Sequence, residues 1–305
     1  MTIAILGIGG VGGYIGGKLA IRYHSGNDRI IFITRGENQR IINAEGLKLI
    51  TPSGEELARP YTTTNDPLEI GIVDVLICCI KGYDLEESIR AYSQCISGET
   101  IVIPLLNGVD APERIKLLVP QAEVWDGCVY IISQLTAPGR VTQSGSLNHI
   151  YLGSGSTEKS RADNIKTILL SAGLNVTVEV DISKIMWEKF FFISPLATLT
   201  SFVKLPIGKI LSDSSYKEKL LALMNELYQI VKARNISLPE NIIKETLHKL
   251  SSLPYETTSS MEKDFQKGKR TELKSLTGYV VESGKHFHIA TPMYAAILEN
   301  LQARF

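Results

Sequence analysis

Twelve residues at the start of the chain limit its fold more than any other stretch. Ile5-Leu6-Gly7-Ile8-Gly9-Gly10-Val11-Gly12 sets the spacing G-x-G-x-x-G directly after the apolar run Thr2–Leu6, at the head of a helical pattern over 11–23. Gly7 permits a tight turn, Gly9 lets backbone approach a pyrophosphate, and Gly12 lets the helix pack close to the strand. The helix start at Gly10 and Val11 offers unpaired N–H groups and partial positive charge to phosphate. Later glycines of the same stretch, Gly13, Gly16 and Gly17, read as helix-packing positions.

The pattern that follows gives the loop its context. Apolar runs at 30–33, 73–80, 100–105 and 124–132 alternate with helical patterns at 37–44, 85–95 and 111–118. Such alternation predicts βαβ units and a parallel sheet covered on both faces. Two runs, 139–143 and 149–152, separated by Ser144-Gly145-Ser146, read as an antiparallel hairpin. A helix over 159–172 and a strand over 175–180 close this part. From Asp181 onward only helical periodicity remains, over 183–202, 216–234, 239–250, 271–285 and 292–302. The expectation is an α/β Rossmann-type N-terminal domain with a parallel sheet, residues 1–180, followed by an all-α C-terminal domain, residues 181–305.

Composition narrows the function classes. A chain of 305 residues supports two cores. Lys plus Arg and Asp plus Glu are 32 each, so neither a nucleic-acid nor an anionic-membrane partner is expected. Residues 1–180 carry 15 basic and 19 acidic side chains, residues 181–305 carry 17 and 13, a balance that suits an anionic ligand held between two lobes. The glycines of the first 20 residues and the missing cationic start argue against a signal peptide. Glu188 and Lys189 interrupt the best membrane-span candidate, 185–202. Cys78 and Cys79, adjacent in an apolar run, point to opposite faces of a strand and, with Cys95 and Cys128, read as buried thiols of a cytoplasmic protein. The five histidines form no metal pattern, and His286 and His288 read as surface positions.

The end of the second strand distinguishes the dinucleotides. An NAD site places Asp or Glu there for the ribose 2′-OH. This chain has Thr34-Arg35, and an arginine fork pairs a 2′-phosphate. NADP (NADPH) is the expected cofactor, the alternative being a solvated loop arginine; Arg40, one turn later, is a weaker second candidate.

Three more segments join the glycine loop: Ile80-Lys81-Gly82-Tyr83-Asp84, Leu106-Asn107-Gly108-Val109, and Trp187-Glu188-Lys189. Together with Ser260, Asp264 and Gly268-Lys269-Arg270-Thr271-Glu272, this ordered set resembles the ketopantoate reductase (2-dehydropantoate 2-reductase) family over essentially the whole chain. The resemblance implies NADPH-dependent reduction of a small-molecule 2-oxo acid, ketopantoate in pantothenate synthesis. It places the family's catalytic lysine on Lys189 and the acid of its T-E motif on Glu272. Its lysine and asparagine near nicotinamide and substrate fall on Lys81 and Asn107, and its substrate-contacting serine on Ser260. A homodimer is compatible with it and not required by any residue.

The chemistry of these types stands by itself. Negative charge growing on a carbonyl oxygen is stabilised by an ammonium, which can also give the proton. The apolar Phe190-Phe191-Phe192 beside Lys189 disfavours its charged form, and an acid such as Glu272 opposes that effect while orienting it. Without the resemblance, Lys189 reads as a solvated position on an amphipathic helix, Asn107-Gly108 as a turn, and Ser259 with Glu262 as a capping box.

The chain departs from the family in two places. Asparagines expected four and eight residues after the lysine are Ile193 and Ala197, on the same helical face. The pattern T-E-I-D-x-x-N-G becomes Thr271-Glu272-Leu273-Lys274-Ser275-Leu276-Thr277-Gly278. Two alternatives stay open: the same chemistry on a more apolar 2-oxo acid, and a non-catalytic NADP-binding module.

Overall fold

The computed structural model of the chain describes residues 1–304. It divides into two compact units, Met1–Leu106 with Ala111–Ile182, and Asn107–Asp110 with the chain from Ser183 on.

The first unit opens with β1 (Thr2–Leu6), α1 (Gly10–Tyr23), β2 (Arg29–Ile33) and α2 (Gly36–Glu45). β3 (Leu47–Thr51), β4 (Gly54–Ala58), β5 (Thr62–Thr64), a short α3 (Pro67–Ile70) and β6 (Val75–Cys78) follow. Then come α4 (Leu85–Ala91), β7 (Ile101–Pro104), α5 (Ala111–Leu118), β8 (Glu123–Val124), β9 (Asp126–Ala137), β10 (Arg140–Gly153), α6 (Lys159–Ser171) and β11 (Asn175–Glu179). Six strands form one all-parallel sheet in the order β5-β2-β1-β6-β7-β8. Alternate residues serve opposite faces. Ile3, Ile5, Phe32, Val75 and Ile77 enter one apolar cluster, and Ala4, Leu6, Ile33, Leu76 and Cys78 the other, with Leu85, Ile89 and Ile115 from α4 and α5. That two-sided burial is why the strands read as continuous apolar runs. The order reverses between β1 and β6, so the loops after these two strands flank the crevice where an open α/β sheet takes ligands.

A second, mixed sheet in the order β11-β10-β3-β4, with β9 on β10, covers the α1 side. It corrects two sequence expectations. Residues 139–143 and 149–152 are not hairpin partners: both lie in β10, whose pairing with β9 is interrupted between Ser144 and Asn148. The run 124–132 is also two strands, one in each sheet. β3, β4 and β5 are further strands that the apolar pattern did not single out, because Lys48, Glu55 and Glu56 interrupt it. The four cysteines are free thiols; burial pushes the Cys78 thiol up to about 12.

The second unit is built on α7 (Ser183–Val203), buried along most of its length, with α8 (Ile207–Ser212), α9 (Ser214–Ala233), α10 (Ile242–Ser251), α11 (Ser260–Gln266), α12 (Tyr279–Phe287) and α13 (Pro292–Gln302). A helix apolar on all sides must be surrounded. The helix expected over 271–285 opens instead with a π-helical turn, Lys274–Gly278, before α12. His286 and His288 are exposed. Among the described residues no helix is long and apolar enough to cross a membrane.

Candidate active site

The glycine loop is shaped by close approach. Gly7, with φ +96°, turns the chain out of β1 and donates its N–H to the Ile33 carbonyl at 3.0 Å. A Cβ on Gly12 would collide with the Gly7 carbonyl, and one on Gly10 with the Ser133 carbonyl of β9. Gly10 is thus required for packing on at least one side. Gly13, Gly16 and Gly17 abut Val141, Phe32 and Leu49, as packing positions should. Gly9 differs: a Cβ there meets no atom within 4 Å. It caps α1 without any side-chain bond to the first-turn N–H groups, and Val11 follows half-buried in that turn. This open, uncapped helix start presents unpaired N–H groups to any phosphate that approaches it.

Beside it lies a cavity of about 240 Å³, lined among others by Gly7, Thr34, Arg35, Asn65, Ile80 and Tyr92. Arg35 is exposed at the head of α2. Arg35 and Tyr92 line the cavity together, and burial pushes the Tyr92 hydroxyl up. Arg40 instead pairs with Glu37 at 2.6 Å on the surface. Asn38 was not legible as a site residue, since its position is an ordinary helix-surface one. Its Nδ2 donates to the Ile8 carbonyl (3.0 Å) and Thr34 Oγ1 (3.1 Å), and its Oδ1 accepts from Gly139 N–H (2.8 Å). One amide therefore ties the glycine loop to the end of β2 and the β9–β10 turn. These residues fit a dinucleotide with a 2′-phosphate.

Lys81 follows β6, half-buried, and its carbonyl accepts from Asp84 N–H at 2.9 Å. Ile80, just before it, packs against Gly7.

In the helical unit the structure joins two distant motifs. Asn107 Nδ2 donates to Glu272 Oε2 at 3.3 Å across 165 positions, and Glu272 is 4% exposed. Lys189 is half-buried on the second turn of α7, followed by the fully buried Phe190 and Phe191. Ala197 is buried and Ile193 half-buried. The polar side chains next to them do not replace the missing amides. Ser194 Oγ donates to the Leu276 carbonyl at 2.8 Å, and Thr198 and Thr277 share a hydroxyl pair at 2.8 Å, so both are occupied in holding the π-helical turn after Glu272. Ser260 is exposed at the start of α11. Its neighbour Ser259 caps that helix, accepting from Glu262 N–H at 3.0 Å, and contacts Thr200 Oγ1 at 2.9 Å. Among the described residues no group of three or more His, Cys, Asp or Glu side chains could hold a metal ion.

Comparison with known proteins places the chain as a whole. Residues 3–157 match the family described as ketopantoate reductase PanE/ApbA, and residues 181–305 match its C-terminal region. An uncharacterised oxidoreductase of Bacillus subtilis (strain 168), YkpB, is 27% identical over 303 residues, which is 99% of this chain and 98% of that one. The crystal structure of 2-dehydropantoate 2-reductase from Porphyromonas gingivalis W83 is similar with a TM-score of 0.86, 33% identity and 99% of both chains covered. The ternary structure of D-mandelate dehydrogenase with NADH and anilino(oxo)acetate shares the fold with a TM-score of 0.86 at 23% identity, over 100% of this chain and 98% of that one.

Proposed function

We propose, from the premise that this chain belongs to the ketopantoate reductase PanE/ApbA family, that it reduces a 2-oxo acid with NADPH and that its substrate is ketopantoate. The family is one of oxidoreductases that use NAD(P)H. The observation that carries the reading onto these residues is the hydrogen bond between Asn107 and the buried Glu272. It brings together two side chains that only the ordered motif set links.

Gly7, Gly9–Gly12 and Arg35 of the first unit would hold the pyrophosphate and 2′-phosphate of NADPH, which would supply the hydride. The chain's own residues do the rest. Lys189 stabilises the charge that builds on the ketone oxygen and gives it a proton. Glu272, held by Asn107, orients the Lys189 ammonium and keeps it charged against its apolar neighbours. Lys81 and Asn107 hold substrate and nicotinamide in register, and Ser260 offers a hydroxyl to the acid. Arg35 reads the 2′-phosphate and so favours NADPH over NADH. Residues 1–180 thus act as the nucleotide domain and 181–305 as the catalytic one. The four thiols suit a reducing cytoplasm.

Ile193 and Ala197 favour a second reading in which the acid is more apolar than ketopantoate. Each missing amide removes a bond of about 0.5–1.5 kcal/mol to a substrate hydroxyl. Steady-state oxidation of NADPH and of NADH with ketopantoate and with 2-oxo acids lacking the hydroxyl tests both. A kcat/KM highest for ketopantoate with NADPH is the expected result; preference for the unhydroxylated acids selects the second reading. Nucleotide binding without turnover of any acid overturns the proposal.

A further inference from the structure

We propose that Arg114, held by Glu86, is a positioning residue that sets the Lys81 loop for the reduction. The inference rests on the reading of Lys81 given above. Arg114 lies on α5 and Glu86 on α4. Nε donates to Glu86 Oε1 at 2.9 Å and Nη2 to Glu86 Oε2 at 2.7 Å. The same Nη2 donates to the Gly82 carbonyl at 2.7 Å. Two parallel bonds already complete a fork between neighbouring helices. The third reaches out of the pair to the backbone one residue after Lys81.

As an ion pair this contact holds little. Glu86 is 42% exposed and Arg114 17%, and such pairs contribute weakly to folding. Its geometry is what matters, because the guanidinium is planar and rigid: fixing two of its nitrogens on Glu86 fixes where Nη2 meets Gly82. The backbone around Lys81 is then held on three sides. Cys79 N–H donates to the Leu6 carbonyl at 2.8 Å, the Lys81 carbonyl accepts from Asp84 N–H at 2.9 Å, and the Gly82 carbonyl is taken by Arg114. Gly82 is itself buried, so its carbonyl has an unfavourable environment without that donor. The loop so fixed stands at the β1–β6 switch point, where Ile80 packs against Gly7.

The test separates a structural pair from a positioning one. The double variant E86R/R114E restores opposite charges between α4 and α5 but turns a carboxylate toward the Gly82 carbonyl. R114K keeps the charge and gives up the fork. Both should stay folded at the assay temperature, with a Tm lowered by the loss of the Gly82 donor, and keep the NADPH Kd of the parent. Both should lose about tenfold to a hundredfold in kcat/KM for the 2-oxo acid, the cost of misplacing a reacting group by about an ångström. Parent kcat/KM in either folded variant overturns the inference. K81M is measured alongside: if it too retains parent kcat/KM, the role of Lys81 fails and the inference with it. If K81M is impaired while R114K and E86R/R114E are not, only the clamp fails.

Discussion

Asn107 donates to Glu272, so an amide from the loop after β7 terminates on a carboxylate that is 4% exposed. An amide is suited to that place because it satisfies a charged oxygen without adding charge. Asn107→Asp replaces the donor with a second carboxylate that repels Glu272. Its kcat/KM should therefore fall below that of a variant that only loses the donor. Asn107→Ala removes only the donor and should lower kcat/KM by about tenfold, the worth of a bond to a charged group. An Asp variant with parent kcat/KM would separate Glu272 from the chemistry.

Gly9 and Gly12 differ in what a methyl group would meet, and that contrast tests the nucleotide cradle. At Gly12 it collides with the Gly7 carbonyl, whereas at Gly9 it meets no protein atom within 4 Å. Gly12→Ala should lower the Tm and abolish NADPH binding together. Gly9→Ala should leave the Tm near that of the parent and weaken NADPH binding by about tenfold or more, because a phosphate held at that helix start would meet the added methyl group. Thermal melts with and without NADPH read both effects. Parent-like NADPH binding by Gly9→Ala would place the phosphates elsewhere.

Arg35 heads α2 at the rim of the cavity that Gly7, Thr34 and Tyr92 line. Charge-assisted bonds from this guanidinium to a 2′-phosphate would be worth about 1.5–3 kcal/mol. Arg35→Ser should raise the Kd for NADPH by about tenfold to a hundredfold and leave that for NADH nearly unchanged. Equal weakening of the two would mean that the guanidinium does not read the phosphate. Fluorescence titration with each nucleotide decides it.

The parts of this fold that were legible in the sequence are those where one period dominates. β1 lies within the single most constraining motif, and its boundaries, Thr2–Leu6, match the apolar run. α5 and α13 likewise begin and end where their patterns do. Part of the second sheet was hidden because Lys48 in β3 and Glu55-Glu56 in β4 break the apolar pattern, and because the β9–β10 register is interrupted where Ser144-Gly145-Ser146 imitates a hairpin turn. The site shows the same division. Glycine spacing and strand ends marked the backbone of the nucleotide loop, whereas Asn38 and Arg114 act through bonds to distant carbonyls that no local pattern encodes. Ser194 and Thr198 were equally hidden: no local pattern marks hydroxyls that the structure commits to the π-helical turn.

That turn and α11 share α7 as support, and α11 carries a titratable group that the reaction does not use. Glu262 is 1% exposed. Its Oε1 accepts from Gln266 at 2.9 Å, while among the described residues Oε2 has no hydrogen-bond partner. Burial pushes its carboxyl up from 4.5, against the Gln266 bond and the charges of Lys204 and Arg304, which lower it. A carboxyl whose folded pKa is raised binds its proton more tightly in the folded state, so stability falls as pH rises from the unfolded value through the folded one. Glu262→Gln, which stays neutral, should then be more stable than the parent by about 1 kcal/mol at pH 8 and no more stable at pH 4. Because Ser259 caps α11 through the Glu262 N–H, the parent should also hold Ser260 less firmly at high pH. A KM for the 2-oxo acid that rises with pH in the parent and stays level in Glu262→Gln would link that helix start to substrate. Melts at the two pH values that show no difference between parent and variant would mean that Glu262 ionises without cost where it stands.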